Sequence, residues 1–151
     1  MFSANTIRIL VAGSLLLHAI AHAIALGALV SQSLGGAIAS RLVVRSWLFP
    51  ALRPITAASF AIPFWLISTL GFLAASLSFW GALLPGATWR WVVVGAALLS
   101  ILGIALFSGT WPGSPNLQRS LLNTLVALAV NGAILVSQFW LSWPPLGMFG
   151  K

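Results

Sequence analysis

The residues of this chain best suited to chemistry are His18 and His22, which stand four apart in His-Ala-Ile-Ala-His. On a helix that spacing puts both imidazoles on one face, about a turn apart. Ser14 lies one turn earlier on the same stripe. The pair sits inside an apolar run long enough to cross a bilayer. An ionisable group at membrane depth is costly unless it faces the bundle interior and finds a partner there. Such an imidazole could be the axial ligand of haem iron or of the magnesium in a chlorophyll-like pigment. It could also hydrogen-bond the headgroup of a quinone. Two histidines on adjacent turns of one helix cannot clasp opposite faces of one haem, and the chain has only these 2 histidines. A second axial ligand would therefore come from another chain. A divalent metal would find too few protein ligands, because the sequence has no Asp, Glu or Cys. The competing structural reading is that each histidine bonds a Ser, Thr or Asn across a helix interface. His18 and His22 are thus candidate cofactor-binding residues, with no single cofactor singled out.

A second polar stripe lies in the last apolar run. Asn123, Asn131 and Gln138 are spaced near whole numbers of helical turns and share one side. Thr69 and Ser76 are similarly related in the second run, and Ser100 falls midway along the third. Asn131 and Gln138 are the weaker cofactor-contact candidates. For these amide and hydroxyl positions interhelical bonding, about 0.6 kcal/mol per contact on average, is a sufficient account.

The groups that are missing narrow the function further. Proton-coupled carriers rely on membrane-embedded carboxylates. Ser-His-Asp hydrolysis, two-metal hydrolysis and glycoside cleavage each need an acid. No P-loop or dinucleotide fingerprint is present. The sequence therefore points to a protein that is not an enzyme. The net charge of +7 comes from scattered positives, Arg8, Arg41, Arg45, Arg53, Arg90, Arg119 and Lys151. A nucleic-acid binder would concentrate them on one face, so no nucleic-acid partner is expected. Scattered positives suit anionic headgroups at helix ends.

These residues must be positioned by lipid-embedded helices. Hydrophobic residues make up 60% of the chain and charged ones 5%, against about a quarter charged in soluble domains. Four apolar runs are predicted to span, at about 7–30, 57–84, 89–107 and 117–143, each near the roughly 20 residues a spanning helix needs. The first is read as a retained span, since a signal h-region is only about 7–15 residues long. Pro63 is expected in the first turns of the second helix, where a missing N–H costs least. Pro85-Gly86, the Gly/Pro-rich stretch Ser108–Asn116 and Pro144-Pro145 supply the stops. Trp80, Trp89, Trp91, Trp111, Trp140 and Trp143 fall near run ends, as an aromatic belt would place them. Trp47 is expected at the interface too, and Trp65 between helices. In the first loop Ala37–Phe49, with Arg41 and Arg45 on one face, reads either as a short interfacial helix with snorkelling arginines or as an irregular basic loop.

The expected fold is an all-α transmembrane four-helix bundle, a single integral membrane domain over residues 1–151. Four spans place both termini on one side. The positives divide nearly evenly between the two sides, with a slight lean to a cytoplasmic first loop. Phe-Trp precedes proline at the ends of both the second and fourth runs, a faint internal echo that interface anchoring alone would also select. The leading function is a non-enzymatic helix-packing subunit of a membrane complex or homo-oligomer, whose partners are the lipid bilayer and other membrane subunits or further copies of itself. One alternative is a binder of haem, a chlorophyll-like pigment or quinone through the histidine pair. Another is a carrier or channel for a neutral or anionic solute. The expected location is a cell membrane, taken as the bacterial inner membrane.

Overall fold

The computed structural model describes residues 3–36, 43–80, 82–107 and 111–145. Four helices make up its regular structure: α1 (Ala4–Ser33), α2 (Pro54–Ser78), α3 (Gly86–Leu106) and α4 (Leu117–Phe139). All four are long and apolar enough to cross a membrane, so the chain is a multi-pass helical membrane protein. Successive helices run antiparallel, and the extended contacts are the sequential ones, α1 with α2, α2 with α3 and α3 with α4.

Local chemistry sets several helix ends. Ser3 caps α1 by accepting from the Thr6 N–H, and Asn116 caps α4 by accepting from the Arg119 N–H at 2.9 Å. At the far end of α1, Gly35 takes φ +71°, and the N–H groups of Gly35 and Gly36 return to the carbonyls of Gln32 and Ser31. That is the glycine-dependent stop in which left-handed backbone satisfies two orphan carbonyls. Pro54 opens α2 at a position whose N–H has no partner to lose. Because α2 begins there, Pro63 is its tenth residue rather than part of its first turns, and its ring faces outward. The second and fourth helices also stop before their apolar runs do, at Ser78 and Phe139 rather than Leu84 and Trp143. Apolarity measures what lipid tolerates, whereas chain reversal uses up residues of its own. Phe79 turns inward edge-on to Trp89, with centroids 5.0 Å apart. Beyond α4 the Trp143 N–H donates back to the Ser137 carbonyl at 2.9 Å.

The core is built from small residues. Ala25, Ala57, Ala58 and Ala61 sit in one buried cluster with Leu29 and Trp65, and Ala12, Ala19, Ala75, Ala96 and Ala97 in another with Phe72 and Val93. Without a hydrophobic drive between helices in lipid, association rests on close backbone approach and interhelical hydrogen bonds. Both are present. Ser76 Oγ donates to the Ala12 carbonyl at 2.8 Å, and Ser68 Oγ to the Ala96 carbonyl at 3.1 Å. A Cβ added at Gly71 would stand 2.7 Å from the Ala96 Cβ, and one at Gly103 would stand 2.8 Å from the Phe64 Cβ.

α3 stops short of its neighbours. From Ser100 it runs only six residues further, about 9 Å of helix, while α1 continues about 16 Å beyond His22. Its last carbonyls thus end at a level where α1 still continues, and an unsatisfied acceptor in lipid is expensive. The first loop supplies the donors. Ser46 Oγ donates to the Leu106 carbonyl at 3.1 Å, and Trp47 Nε1 donates to the Ala105 carbonyl. Gln32 holds that loop in place by bonding the backbone of Val44 in both directions and the Pro54 carbonyl. Residues 43–49 are irregular rather than helical. The physical reason is that this segment spends its polar groups capping α3. The rest of the expected interfacial helix, residues 37–42 with Arg41, lies outside the described residues.

Five of the tryptophans expected at the interfaces are solvent- or lipid-accessible: Trp47, Trp80, Trp91, Trp140 and Trp143. Trp65 packs between helices as anticipated. Trp89 and Trp111 depart from the belt expectation. Trp89 is buried and donates to the Ala75 carbonyl at 2.8 Å, tying α3 to α2. Trp111 is only 5% exposed and fills the space above the truncated end of α3.

Gly71→Ala is expected to cost about 1–3 kcal/mol through overpacking against Ala96. Gly13→Ala, where nothing stands within 4 Å of the new Cβ, is expected to be neutral or stabilising. Thermal unfolding of the two variants in the same detergent compares them directly.

Candidate functional site

Between the two apolar clusters lies a polar layer contributed by three helices. α1 brings His18 and His22, α3 brings Ser100, and α4 brings Asn131. All four are buried, His22 to 1% exposure and Asn131 to 0%. Phe72 of α2 and Trp111 from the loop close the layer, each edge-on to the imidazoles. Phe72 lies 4.6 Å from the His18 ring and 5.4 Å from that of His22, and Trp111 lies 5.3 Å from His22. The two imidazoles are themselves edge-on at 4.5 Å.

The hydrogen bonds form a circuit with one consistent direction. His22 Nδ1 is 3.0 Å from the His18 carbonyl oxygen, which can only accept. That nitrogen therefore carries the proton. The chain has no carboxylate to neutralise an imidazolium, so a neutral ring is the form that fits this interior. His22 Nε2 is then an acceptor, and the Ser100 hydroxyl donates to it across 2.8 Å. Ser100 Oγ in turn accepts from Asn131 Nδ2 at 2.7 Å. Asn131 Oδ1, 3.0 Å from His18 Nε2, accepts from that nitrogen. The chain of donors leaves the His18 ring and ends on the His18 backbone. Tautomers and amide orientation follow from this network as a whole. Each bond polarises the next in a low-dielectric interior.

The structure therefore brings together His18, His22 and Asn131 of the expected site residues, along with Ser100. Gln138 is placed elsewhere, seven residues and about 10 Å further along α4. There its amide donates to the Trp143 carbonyl, and its own carbonyl accepts from Arg90, so its role is to finish the α4 C-terminus. Arg90 contributes a positive charge where the helix dipole favours one. Ser14 is exposed rather than part of the polar layer. Thr69 bonds back to the Trp65 carbonyl of its own helix. Asn123 donates to Ser114 Oγ at 3.3 Å and helps hold the 111–116 loop down. Trp111 and Phe72 escaped the sequence reading. An isolated Trp in a Gly/Pro-rich loop carries the same signal whether it anchors in headgroups or folds inward, and Phe72 is one apolar residue among many.

Two cavities lie along the seam between α1 and α4, one on each side of the His18–Asn131 bond. The larger, about 330 Å³, is lined mainly by apolar side chains including Leu10, Leu15, Trp89 and Ile134. The smaller, about 240 Å³, is lined by His18, Ala21, Ile24, Trp111, Asn123, Val126 and Ala127. Of the four imidazole nitrogens, three are engaged in the circuit. No described residue bonds the fourth, His18 Nδ1.

This arrangement defines a class: a four-span helical membrane protein whose central polar layer is a histidine–asparagine–serine circuit. No family model matches the chain, and neither a curated protein nor a solved structure matches it.

Asn131→Leu is expected to destabilise the protein by about 1–3 kcal/mol, because it strands the His18 N–H and removes the donor to Ser100. Ser100→Ala breaks the same circuit, so the double variant is expected to cost clearly less than the sum of the singles. Unfolding free energies of the four species in one detergent system measure that coupling. Additive costs would show that the bonds act separately.

Proposed function

We propose that the chain is a non-enzymatic packing subunit of a membrane complex or homo-oligomer, resident in a cell membrane such as the bacterial inner membrane. The observation that carries this reading is the outward face of α1. Leu16, Ile20, Ala23 and Gly27 follow one another at three- and four-residue steps and are all exposed. A Cβ built at Gly27 meets nothing within 4 Å. Small residues turned outward on a spanning helix allow a second helix to approach its backbone closely. The interior supports the same reading. Its histidines are spent on joining α1 to α3 and α4, and the chain has no carboxylate to pair with them as acid or base.

A tetrapyrrole-binding reading draws less support from the geometry. An axial ligand needs a free imidazole nitrogen, and only His18 Nδ1 is unengaged. The 240 Å³ space beside it is below the roughly 300–1,000 Å³ of ordinary ligand pockets, and a tetrapyrrole is larger than most such ligands. A visible absorption spectrum of the purified protein tests for a pigment directly.

Native mass analysis after mild solubilisation is expected to show an oligomer or a co-purifying partner. Gly27→Leu places bulk in open space, so it is expected to release monomer while leaving the thermal unfolding midpoint within a few degrees of the parent. A strictly monomeric parent protein with no partner would overturn the reading.

A further inference from the structure

We propose that the cavity beside His18 binds a hydroxyl-bearing amphiphile taken up from the bilayer, with the ligand O–H donated to His18 Nδ1. The inference does not depend on the packing-subunit reading.

Three observations carry it. First, the direction of the circuit settles what His18 offers. His22 Nδ1 must donate to the His18 carbonyl, so every later bond runs one way and His18 Nε2 holds the proton. In the neutral ring Nδ1 is then a lone pair. No described residue donates to it, although His18 is only 6% exposed. An acceptor at membrane depth has no water to pair with, so a lipid-soluble donor that reaches it gains a bond. Second, the ring lines a cavity of about 240 Å³ in which His18 is the residue that offers an imidazole acceptor. The other polar groups there are the Trp111 indole N–H and the Asn123 amide, one N–H of which is directed to Ser114. Third, the rim faces outward and is largely apolar, with Asn123 its polar exception. Ile24 is 68% exposed and Val126 52% exposed, so in a membrane the cavity opens sideways into lipid. His18 lies about 21 Å along an α1 of about 45 Å, near the middle of the span. A molecule reaching that depth must itself be soluble in hydrocarbon.

The site therefore presents an imidazole acceptor in a largely apolar slot. It suits an alcohol or phenol, including the reduced, hydroxyl form of a quinone. At His18 Nδ1 the oxidised form, which carries only carbonyl acceptors, would face lone pair with lone pair. The volume holds about one ring or a short chain, with any tail leaving between Ile24 and Val126.

The test uses the full chain in phosphatidylcholine vesicles, with tryptophan fluorescence read during titration. The bromine of 4-bromophenol is expected to quench Trp111, which lines the cavity, as a saturable component above linear partitioning. 4-Bromoanisole has nearly the same shape without the donor and is expected to bind at least about tenfold more weakly, the worth of one hydrogen bond to an otherwise unpaired group. Ala21→Leu, which fills the cavity from α1 without touching the circuit, is expected to abolish the saturable component. Trp111→Phe should remove the saturable quenching signal. Competition by 1-octanol would extend the site to aliphatic alcohols. A lack of competition, with selectivity over the anisole intact, would confine it to phenols and quinols, and either result supports the site. Equal quenching by the anisole on the parent protein overturns the proposal and needs no variant. So does a cavity that shows no saturable binding and holds water alone.

Discussion

A polar group buried in a membrane has no water to fall back on, and the circuit from His18 through Asn131, Ser100 and His22 back to the His18 carbonyl is how this chain meets that constraint. The bonds join three helices that the loops connect only in sequence. They also explain why imidazoles are tolerated at this depth without a counter-ion, since three ring nitrogens are paired and the rings lie edge-on to Phe72 and Trp111. Alanine and glycine would let the helices approach in several registers. A directional set of bonds selects one of them. The net worth of each bond is small in membranes, about 0.6 kcal/mol on average, so the contribution of the circuit lies as much in specifying the register as in stabilising the bundle.

The shortness of α3 follows the same logic at the other end of the molecule. Ending a helix where a neighbour still continues exposes carbonyls that lipid cannot satisfy. Ser46 and Trp47 meet those carbonyls, Gln32 anchors the loop that carries them, and Trp111 fills the volume the missing turns leave. The loop from residue 111 packs tightly enough that Gly113, at φ +77°, would bring a Cβ within 2.9 Å of the Ala28 Cβ. Irregular backbone at membrane depth is permitted where protein buries it, and here the loop and the polar layer support each other.

The seam between α1 and α4 is incompletely filled. It is bridged at mid-height by the His18–Asn131 bond and opens above and below it. A molecule in the smaller of the two cavities would lie against His18, whose Nδ1 the circuit leaves over. The packing face on α1 and the seam involve different sides of that helix, so association and ligand uptake are separable properties.

Composition and the lengths of the apolar runs determined that this is a multi-pass membrane protein, with four helices among the described residues long and apolar enough to span, because a chain with no Asp or Glu and 5% charged residues cannot cover a water-facing surface. The i,i+4 histidines and the periodic Asn123, Asn131 and Gln138 likewise placed polar faces on α1 and α4, since helical periodicity is a local property. Tertiary structure decided which of those groups meet. Asn131 reaches His18 while Gln138, on the same stripe, finishes a helix end, because the axial offset between helices is set by loops and packing rather than by spacing along one helix. It also decided that Trp111 and Trp89 point inward, where position near a run end had suggested headgroups. Only the assembled fold assigns a proton to each ring nitrogen. That assignment needs the identity of every neighbour around the circuit, and those neighbours are 31, 78 and 113 residues apart in the chain.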